Sequence, residues 1–203
     1  MLNKKKMKEK VTALVLAGGK SSRMGEDKAL ISIEGIPMLQ KVCQTAAACC
    51  ESVYILTPWP ERYHKIVGDK YEFLVELNPG NGPLVAFFQG LWEIKSRQQV
   101  EWCWLLACDL PCLDKEKVLF WINQLCQVEN RFLAIVPQNQ GRWEPLCGFY
   151  SVEVLSSLEN FIEQGGRSFQ KWLSEIDTVA LPVEGEEGKM LLNCNTPEDL
   201  KLV

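Results

Sequence analysis

The sequence is poor in the side chains and segments on which several common functions depend. It has a single histidine, His64, no pair of cysteines spaced C-x-x-C, and no apolar run near the roughly 20 residues that span a membrane. The lone histidine disfavours catalysis by a Ser–His or Cys–His pair, and we expect His64 at the surface. The missing cysteine pair disfavours a structural zinc site. The first apolar stretch, Val11–Ala17, is too short for a signal-peptide core, so we expect a cytoplasmic protein without a membrane partner.

The chain also has no excess of positively charged residues. The chain has 22 lysine and arginine residues against 26 aspartate and glutamate residues, which gives a net charge of −4. Proteins that bind nucleic acids neutralise phosphates with surplus cations, so we expect no nucleic-acid partner. The length predicts a single domain over residues 1–203, with residues 1–10 as a flexible tail. Nine cysteines, an odd number in a chain of this size, predict reduced thiols rather than disulfides.

Apolar runs of strand length alternate with longer stretches of helical period along most of the chain. Strands are predicted at residues 11–17, 29–33, 52–57, 71–77, 102–108, 132–136, 178–183 and 190–194. Helices are predicted at residues 37–50, 59–67, 84–97, 114–128, 152–164 and 168–176. This alternation predicts a single-domain, three-layer, Rossmann-like α/β fold with a mostly parallel central sheet. Residues 141–151 fit an edge strand or a loop, because Pro145 suits only those. The same periodicity predicts that four tryptophans belong to the core, namely Trp92, Trp102, Trp121 and Trp172.

A glycine-rich, cationic segment follows the first predicted strand. Within Leu16–Lys28 it holds three glycines and three cations: Gly18, Gly19, Gly25, Lys20, Arg23 and Lys28. Glycines let backbone N–H groups approach a phosphate, and the cations supply matching charge, so a triphosphate is a suitable ligand. The spacing satisfies neither a Walker A motif, which needs a glycine where Leu14 stands, nor G-x-G-x-x-G. From composition alone, an ordinary glycine turn with solvated charges is the alternative.

A single acid, Asp109, closes the predicted strand 102–108. The carboxyl ends of parallel strands form the ligand-binding edge of an open α/β sheet. Mg²⁺ takes one or two carboxylates together with phosphate oxygens and waters. Asp109 is therefore the candidate metal ligand, and a cap of the turn before Pro111 is the structural alternative.

The motifs of the chain resemble those of one family. The pattern L-A-G-G-x-S-x-R-M-G-x-D-K at Leu16–Lys28 closely resembles the nucleotide-binding signature of the molybdenum cofactor guanylyltransferases, the MobA proteins of the MobA-like nucleotidyltransferase superfamily. Further similar segments are Asn78–Leu84 with P-G-x-G-P-L, Ala107–Pro111 with C-D-x-P, Glu144–Leu146 on the substrate side, and Asn193–Asp199 with N-x-N-T-P-E-D. The resemblance thus covers most of the chain and implies a nucleotidyltransferase fold.

The same resemblance implies an activity and its site. The reaction is the Mg²⁺-dependent transfer of GMP from GTP to molybdopterin carrying molybdenum, which gives the guanine dinucleotide cofactor and pyrophosphate. GTP and molybdopterin are then the substrates, with molybdoenzyme-maturation proteins as further partners. Lys28 would hold the phosphates with help from Arg23, and Asp109 would bind both Mg²⁺ and GTP. The other implied GTP-binding residues are Leu16, Ala17, Gly18, Gly19, Glu76 and Gly82.

Asn193 and Asn195 are candidate acceptor-binding residues. They alternate with Cys194 at the end of a predicted strand, so both amides would point the same way. Amides can hydrogen-bond a pterin edge, a ribose or a phosphate without adding charge. Satisfying the local backbone is the alternative. Three further cations could receive an acceptor phosphate, but the sequence singles out none of them: Arg142, Arg167 and Lys171.

The chain departs from the family pattern at three places. Glu76 stands where aspartate is more familiar, Ala86 replaces a glycine, and Thr57–Trp59 offers no match to a family asparagine. Two other functions are therefore weighed against GMP transfer. One is a related nucleotidyltransferase that uses CTP or another acceptor, and the other is a non-catalytic protein that binds GTP or the cofactor.

Overall fold

The computed structural model describes residues 10–19, 25–183, 185–196 and 198–201, without the side chain of Glu186. An eight-stranded sheet organises these residues. Its strands are β1 (Val11–Leu16), β4 (Ser52–Thr57), β5 (Glu72–Val75), β6 (Trp102–Ala107), β7 (Ala134–Asn139), β8 (Arg142–Trp143), β9 (Phe149–Ser151) and β10 (Thr178–Pro182). A separate hairpin pairs β2 (Ser32–Ile33) with β3 (Ile36–Pro37).

The sheet is mostly parallel. Its strand order is β10-β7-β9-β6-β1-β4-β5, with β8 beside β7. β1 pairs in parallel with β4 and β6, β4 with β5, and β7 with β10. Only β9, between β6 and β7, and β8 run antiparallel to their neighbours in this sheet. Helical connections between successive parallel strands account for this arrangement.

Helices cover both faces of the sheet. They are α1 (Met38–Cys49), α2 (Pro60–Val67), α3 (Pro83–Arg97), α4 (Lys115–Leu125), α5 (Leu155–Glu163) and α6 (Phe169–Leu173). One apolar cluster joins α1, α2 and α4 to one face, and a second joins α3, α5 and α6 to the other. Along β1, Ala13 and Val15 enter the first cluster while Leu14 enters the second. Three layers built on a mostly parallel sheet confirm the predicted fold class.

Capping side chains set two of the helix starts. The carboxylate of Asp114 accepts a hydrogen bond from Lys117 N at 2.9 Å at the start of α4. Ser168 Oγ accepts one from Lys171 N at 3.4 Å at the start of α6. Each side chain satisfies a backbone donor that the first helical turn leaves unpaired, at the start of a helix that the sequence predicts.

The prediction of a strand at Met190–Cys194 was wrong. The segment Gly185–Leu191 is a 3-10 helix, and Cys194 N donates to Asp109 O at 3.0 Å instead of entering the sheet. Its apolar residues are buried against the core without strand pairing, so hydrophobicity alone misled the assignment. The prediction of a strand at residues 29–33 was only partly right, because Lys28–Leu30 is a 3-10 helix and the strand begins at Ser32.

Residues 141–151, which fit either an edge strand or a loop, contain both. β8 and β9 flank a 3-10 turn at Pro145–Cys147. Of the four tryptophans expected in the core, Trp121 and Trp172 are buried, and Trp102 is partly buried against the first cluster. Trp92 is 59% exposed, so the prediction for it was wrong. His64 lies at the surface beside Asp69, as expected. None of the described helices combines the length and the apolar character needed to cross a membrane.

Candidate active site

The candidate site lies at the carboxyl edge of the sheet, where the order of the strands reverses. From β1 the chain adds β4 and β5 on one side and then returns to place β6 on the other side of β1. Gly18 and Gly19 follow β1, and Asp109 follows β6. Open α/β sheets bind ligands in the crevice at such a switch point. The two predicted motifs therefore meet where the fold provides a crevice.

Lys28 and Asp109 form the central contact of the site. Lys28 Nζ lies 2.6 Å from Asp109 Oδ2 and also donates to Asn195 Oδ1 at 2.8 Å. The side chains of the pair are 18% and 10% exposed, so the two charges are largely shielded from water. A charge-assisted hydrogen bond of this kind is stronger than one between neutral groups. It joins the glycine-rich segment, β6 and the C-terminal segment at one point.

Asp27, directly before Lys28, anchors this arrangement. Its Oδ1 accepts from Ala29 N at 3.2 Å and caps the short helix that carries Lys28. Its Oδ2 accepts from Tyr63 Oη at 2.8 Å and from an Arg62 guanidinium nitrogen at 3.0 Å. Tyr63 and Arg62 lie on α2, so the carboxylate fixes the Lys28 backbone to a helix. Sequence inspection missed this anchor, because nothing in the motif indicates partners about 36 residues away.

Glu76 lies against the glycine-rich segment. Its N–H donates to Thr57 O at 3.0 Å, which places it just beyond the end of β5. Its carboxyl occupies the space that a Cβ at Gly18 would take. Burial raises the pKa of this carboxyl above its ordinary value. The structure therefore brings together two of the predicted GTP-binding residues.

The other predicted site residues lie around the same edge, with one exception. Ala17 N donates to Leu56 O at 2.9 Å, and Leu16 O accepts from Cys108 N at 3.2 Å, so both residues continue the sheet into the site. Gly82, with φ of 87°, precedes α3 in a conformation that favours glycine. Ala86, the departure from the family glycine, lies on α3 and is buried in the apolar cluster that joins this helix to the sheet. Arg23 is outside the described residues, so its role stays a prediction.

The contact between Gly18 and Glu76 gives a testable prediction. Gly18→Ala would force the Glu76 carboxyl away, and we expect GTP affinity to fall about tenfold, a change of roughly 1.4 kcal/mol. The collision involves the end of a side chain, so we expect thermal stability to change little. Isothermal titration with GTP measures the affinity.

Gly19→Ala is the matched comparison for this variant. No heavy atom of the described residues lies within 4 Å of a Cβ built at Gly19. The loss of affinity should therefore be larger at Gly18 than at Gly19. Equal losses in the two variants would show that the Glu76 contact does not matter.

A cavity of about 470 Å³ opens next to Leu110, the residue that follows Asp109. Leu110 and Asn193 line it on the side of the Lys28–Asp109 pair, and Pro83 lines it at the start of α3. The rest of its wall comes from the turn after β8 and from the segment around α6. Its polar lining residues there are Arg142, Glu144, Arg167 and Gln170. Its size lies within the range of about 300–1,000 Å³ that is usual for ligand pockets.

Asn193 and Asn195 connect this cavity to the ion pair. Asn193 lines the cavity and donates to Leu191 O at 3.3 Å. Asn195 donates to Asn193 O at 3.4 Å while it accepts from Lys28. The two residues lie in an irregular segment rather than at a strand end, so the geometric basis of their prediction was wrong. They are nevertheless neighbours in the site, and Asn195 contacts Lys28 directly.

The donors at Asp109 suit a hard cation. Asp109 Oδ1 is buried and has no hydrogen-bond partner among the described residues. Within the described ranges, no group of three or more histidine, cysteine, aspartate or glutamate side chains could hold a metal. A single carboxylate matches Mg²⁺, which completes its coordination with phosphate oxygens and waters rather than with an all-protein cage. Asp109 therefore fits a magnesium ion that arrives with a nucleotide.

Comparison with known proteins places this geometry in a family. Residues 13–179 match the MobA-like NTP transferase domain. A protein of Trichormus variabilis named as a probable molybdenum cofactor guanylyltransferase is 50% identical over 195 residues, which cover 95% of this chain and 90% of that protein. A Synechococcus elongatus protein with the same name is 38% identical over 92% of this chain and 94% of its own length.

A solved structure supports the same assignment at the level of the fold. Molybdopterin-guanine dinucleotide biosynthesis protein A from Archaeoglobus fulgidus superposes with a TM-score of 0.75 at 23% identity, covering 94% of this chain and 95% of that one. Both the sequence matches and this superposition extend over nearly the whole chain. The chain therefore belongs to the MobA-like NTP transferase family and is a nucleotidyltransferase, as its motifs predict.

Proposed function

We propose that the protein transfers GMP from GTP to molybdopterin carrying molybdenum and releases pyrophosphate. The observation that carries this proposal is the contact of Lys28 with Asp109 and Asn195, placed between the glycine-rich segment and the cavity. This contact lies where the nucleotide phosphates would meet a second substrate. The names of the relatives in Trichormus variabilis and Synechococcus elongatus support the choice of guanine and of the molybdenum cofactor.

The chemistry needs little from the protein beyond positioning and charge. An oxygen of the acceptor phosphate attacks the α-phosphorus of GTP, and the bond from that phosphorus to the β-phosphate bridging oxygen breaks. Pyrophosphate leaves with the electron pair of that bond. A phosphate monoester has a second pKa of about 6, so the attacking group is largely a dianion at neutral pH. No general base is required, which agrees with a site built without histidine.

The glycine-rich segment and residues near it would bind the nucleotide. Glu76 would contact the nucleotide from the end of β5. Five further residues would present backbone atoms to it, namely Leu16, Ala17, Gly18, Gly19 and Gly82. Lys28, with Arg23, would neutralise charge that shifts onto the departing pyrophosphate.

Asp109 would hold the metal ion. Nucleotidyl transfer generally uses a divalent metal, and we assign Mg²⁺ to the unpaired Oδ1 of Asp109. When bound, the ion supplies positive charge against the phosphate oxygens. Lys28 already contacts the other carboxylate oxygen of Asp109, so the two residues would hold their positions around the triphosphate together.

The cavity next to Leu110 is our assignment for the acceptor. Asn193 lines it, and Asn195 joins Asn193 to Lys28, so the acceptor phosphate would be guided towards the nucleotide. The product would then pass to molybdoenzyme-maturation proteins as further partners.

A nucleotide comparison tests the proposal. The protein is incubated with Mg²⁺, molybdopterin carrying molybdenum and each of GTP, CTP, ATP and UTP, and pyrophosphate release is measured. We expect release with GTP and at least about tenfold less with the others, since base discrimination rests on a few hydrogen bonds. Release with CTP but not GTP would assign the chain to a different nucleotide. Binding of GTP with no release in the presence of acceptor would instead indicate a non-catalytic protein.

A further inference from the structure

The wall of the cavity contains one acidic residue, Glu144. Among the lining residues in the described ranges, the other charged groups are the guanidiniums of Arg142 and Arg167. Glu144 is partly buried, and its side chain makes no hydrogen bond or ion pair with the described residues. Partial burial raises the pKa of this carboxyl above its ordinary value, and the nearby charge of Arg142 opposes that rise. Glu144 is therefore the one negatively charged hydrogen-bond acceptor that the described lining offers to a ligand in the cavity.

The backbone that carries Glu144 is fixed on both sides. Glu144 N donates to Pro137 O at 2.8 Å, and Glu144 O accepts from Cys147 N at 3.2 Å. These bonds tie the residue to β7 and to the 3-10 turn that follows it. The carboxyl is therefore attached to a rigid part of the cavity wall.

Gln170 on α6 fixes the neighbouring residue. Its Oε1 accepts from Trp143 N at 3.3 Å, and its Nε2 donates to Trp143 O at 2.7 Å. Both polar groups of the Gln170 side chain are thus hydrogen-bonded to the backbone of Trp143. Trp143 and Glu144 are held before a ligand enters, and a pre-organised group costs less free energy to use in binding.

We propose that Glu144 is the specificity-determining residue for the acceptor: its carboxylate accepts two adjacent N–H groups from the ring edge of a pterin. This inference rests on the proposed function, because it takes the cavity as the acceptor site. A carboxylate offers two oxygens side by side and matches a pair of neighbouring donors. The 2-amino group and the N3–H of a pterin form such a pair on one edge.

The remaining lining residues suit the rest of that ligand. Trp143 also lines the cavity, and aromatic groups stack on flat rings. Asn193 lies on the side of the cavity that leads to Lys28 and Asp109. A ring edge held at Glu144 would therefore leave the phosphate end of the acceptor free to reach the α-phosphate.

The test replaces the carboxylate by an amide of nearly the same shape. In Glu144→Gln, one acceptor oxygen becomes an NH₂ group that opposes a ring N–H, so we expect KM for molybdopterin to rise at least about tenfold. KM for GTP and kcat at saturating acceptor should change less than about twofold. The interaction lost is one that the acceptor makes equally in the ground state and in the transition state. Direct binding of 6-hydroxymethylpterin, followed by its fluorescence, should weaken in parallel.

Glu153→Gln is the matched control, since Glu153 is exposed, does not line the cavity and undergoes the same change of charge. An unchanged KM for molybdopterin and unchanged pterin binding in a folded Glu144→Gln variant would overturn the proposal. So would a loss of the same size in Glu153→Gln. These outcomes differ from a failure of the proposed function, in which the wild-type protein itself releases no pyrophosphate from GTP with molybdopterin present.

Discussion

Asp109→Asn is expected to lower kcat for pyrophosphate release by about a hundredfold to a thousandfold, the scale on which a key electrostatic group in a shielded site contributes. The amide keeps the shape of the side chain but removes the negative charge that contacts Lys28 and that would bind Mg²⁺. Lys28 keeps its hydrogen bond to Asn195, so we expect the fold to persist. Steady-state pyrophosphate release over a range of Mg²⁺ concentrations measures the effect.

Asp69→Asn provides the comparison for this variant. Asp69 is exposed at the surface beside His64, and the substitution makes the same change of charge and shape. We expect its kcat to equal that of the wild type. If Asp109→Asn retained more than about a tenth of wild-type turnover, the carboxylate would be outside the electrostatic machinery of the reaction.

The fold was predictable where each element carries its own pattern. The strand Ser52–Thr57 and the end of α3 at Arg97 lie where the sequence places them, because apolar runs and helical period are local signals. The antiparallel insertion of β9 between β6 and β7 was not predictable. β9 has only three residues, and its pairing depends on strands distant in sequence.

The candidate site was also predictable only in part. That Asp109 and the glycine-rich segment share one edge follows from parallel strands, which place their carboxyl ends together. The sequence did not predict which side chains contact one another at that edge. Asn195 contacts Lys28 across 167 positions, and Tyr63 contacts Asp27 across 36. Such contacts depend on how loops fold back onto the sheet, and loops carry weak local signals.

The cavity shows why resemblance and geometry complement each other. The motif identifies Glu144–Leu146, but it predicts neither the place of the Glu144 carboxyl in the cavity wall nor the hydrogen bonds that fix its backbone. The hydrogen bonds of Gln170 to Trp143 join β8 to α6, and no sequence motif links these residues.

Lys28→Met is expected to reduce kcat about as strongly as Asp109→Asn, because a cation placed against the phosphates contributes on the same scale of roughly a hundredfold to a thousandfold. Methionine is unbranched and fills much of the same space, so the loss would come from charge rather than packing. This variant should also lose stability, since it leaves the shielded Asp109 carboxylate without its cation. Because both side chains keep some exposure, we expect a loss of about 1–3 kcal/mol, below that of a fully buried pair.

The double variant Lys28→Met/Asp109→Asn separates catalysis from folding. Removing the stranded carboxylate should recover most of the stability lost in Lys28→Met, because two neutral groups replace one unpaired charge. It should recover none of the activity, because both charges that would act on the triphosphate and its metal ion are then missing. Urea unfolding gives the stability of all four proteins, and pyrophosphate release gives their kcat. If the two losses of stability simply added, the pair would carry no coupling, and its contact could not be what holds Lys28 in the site.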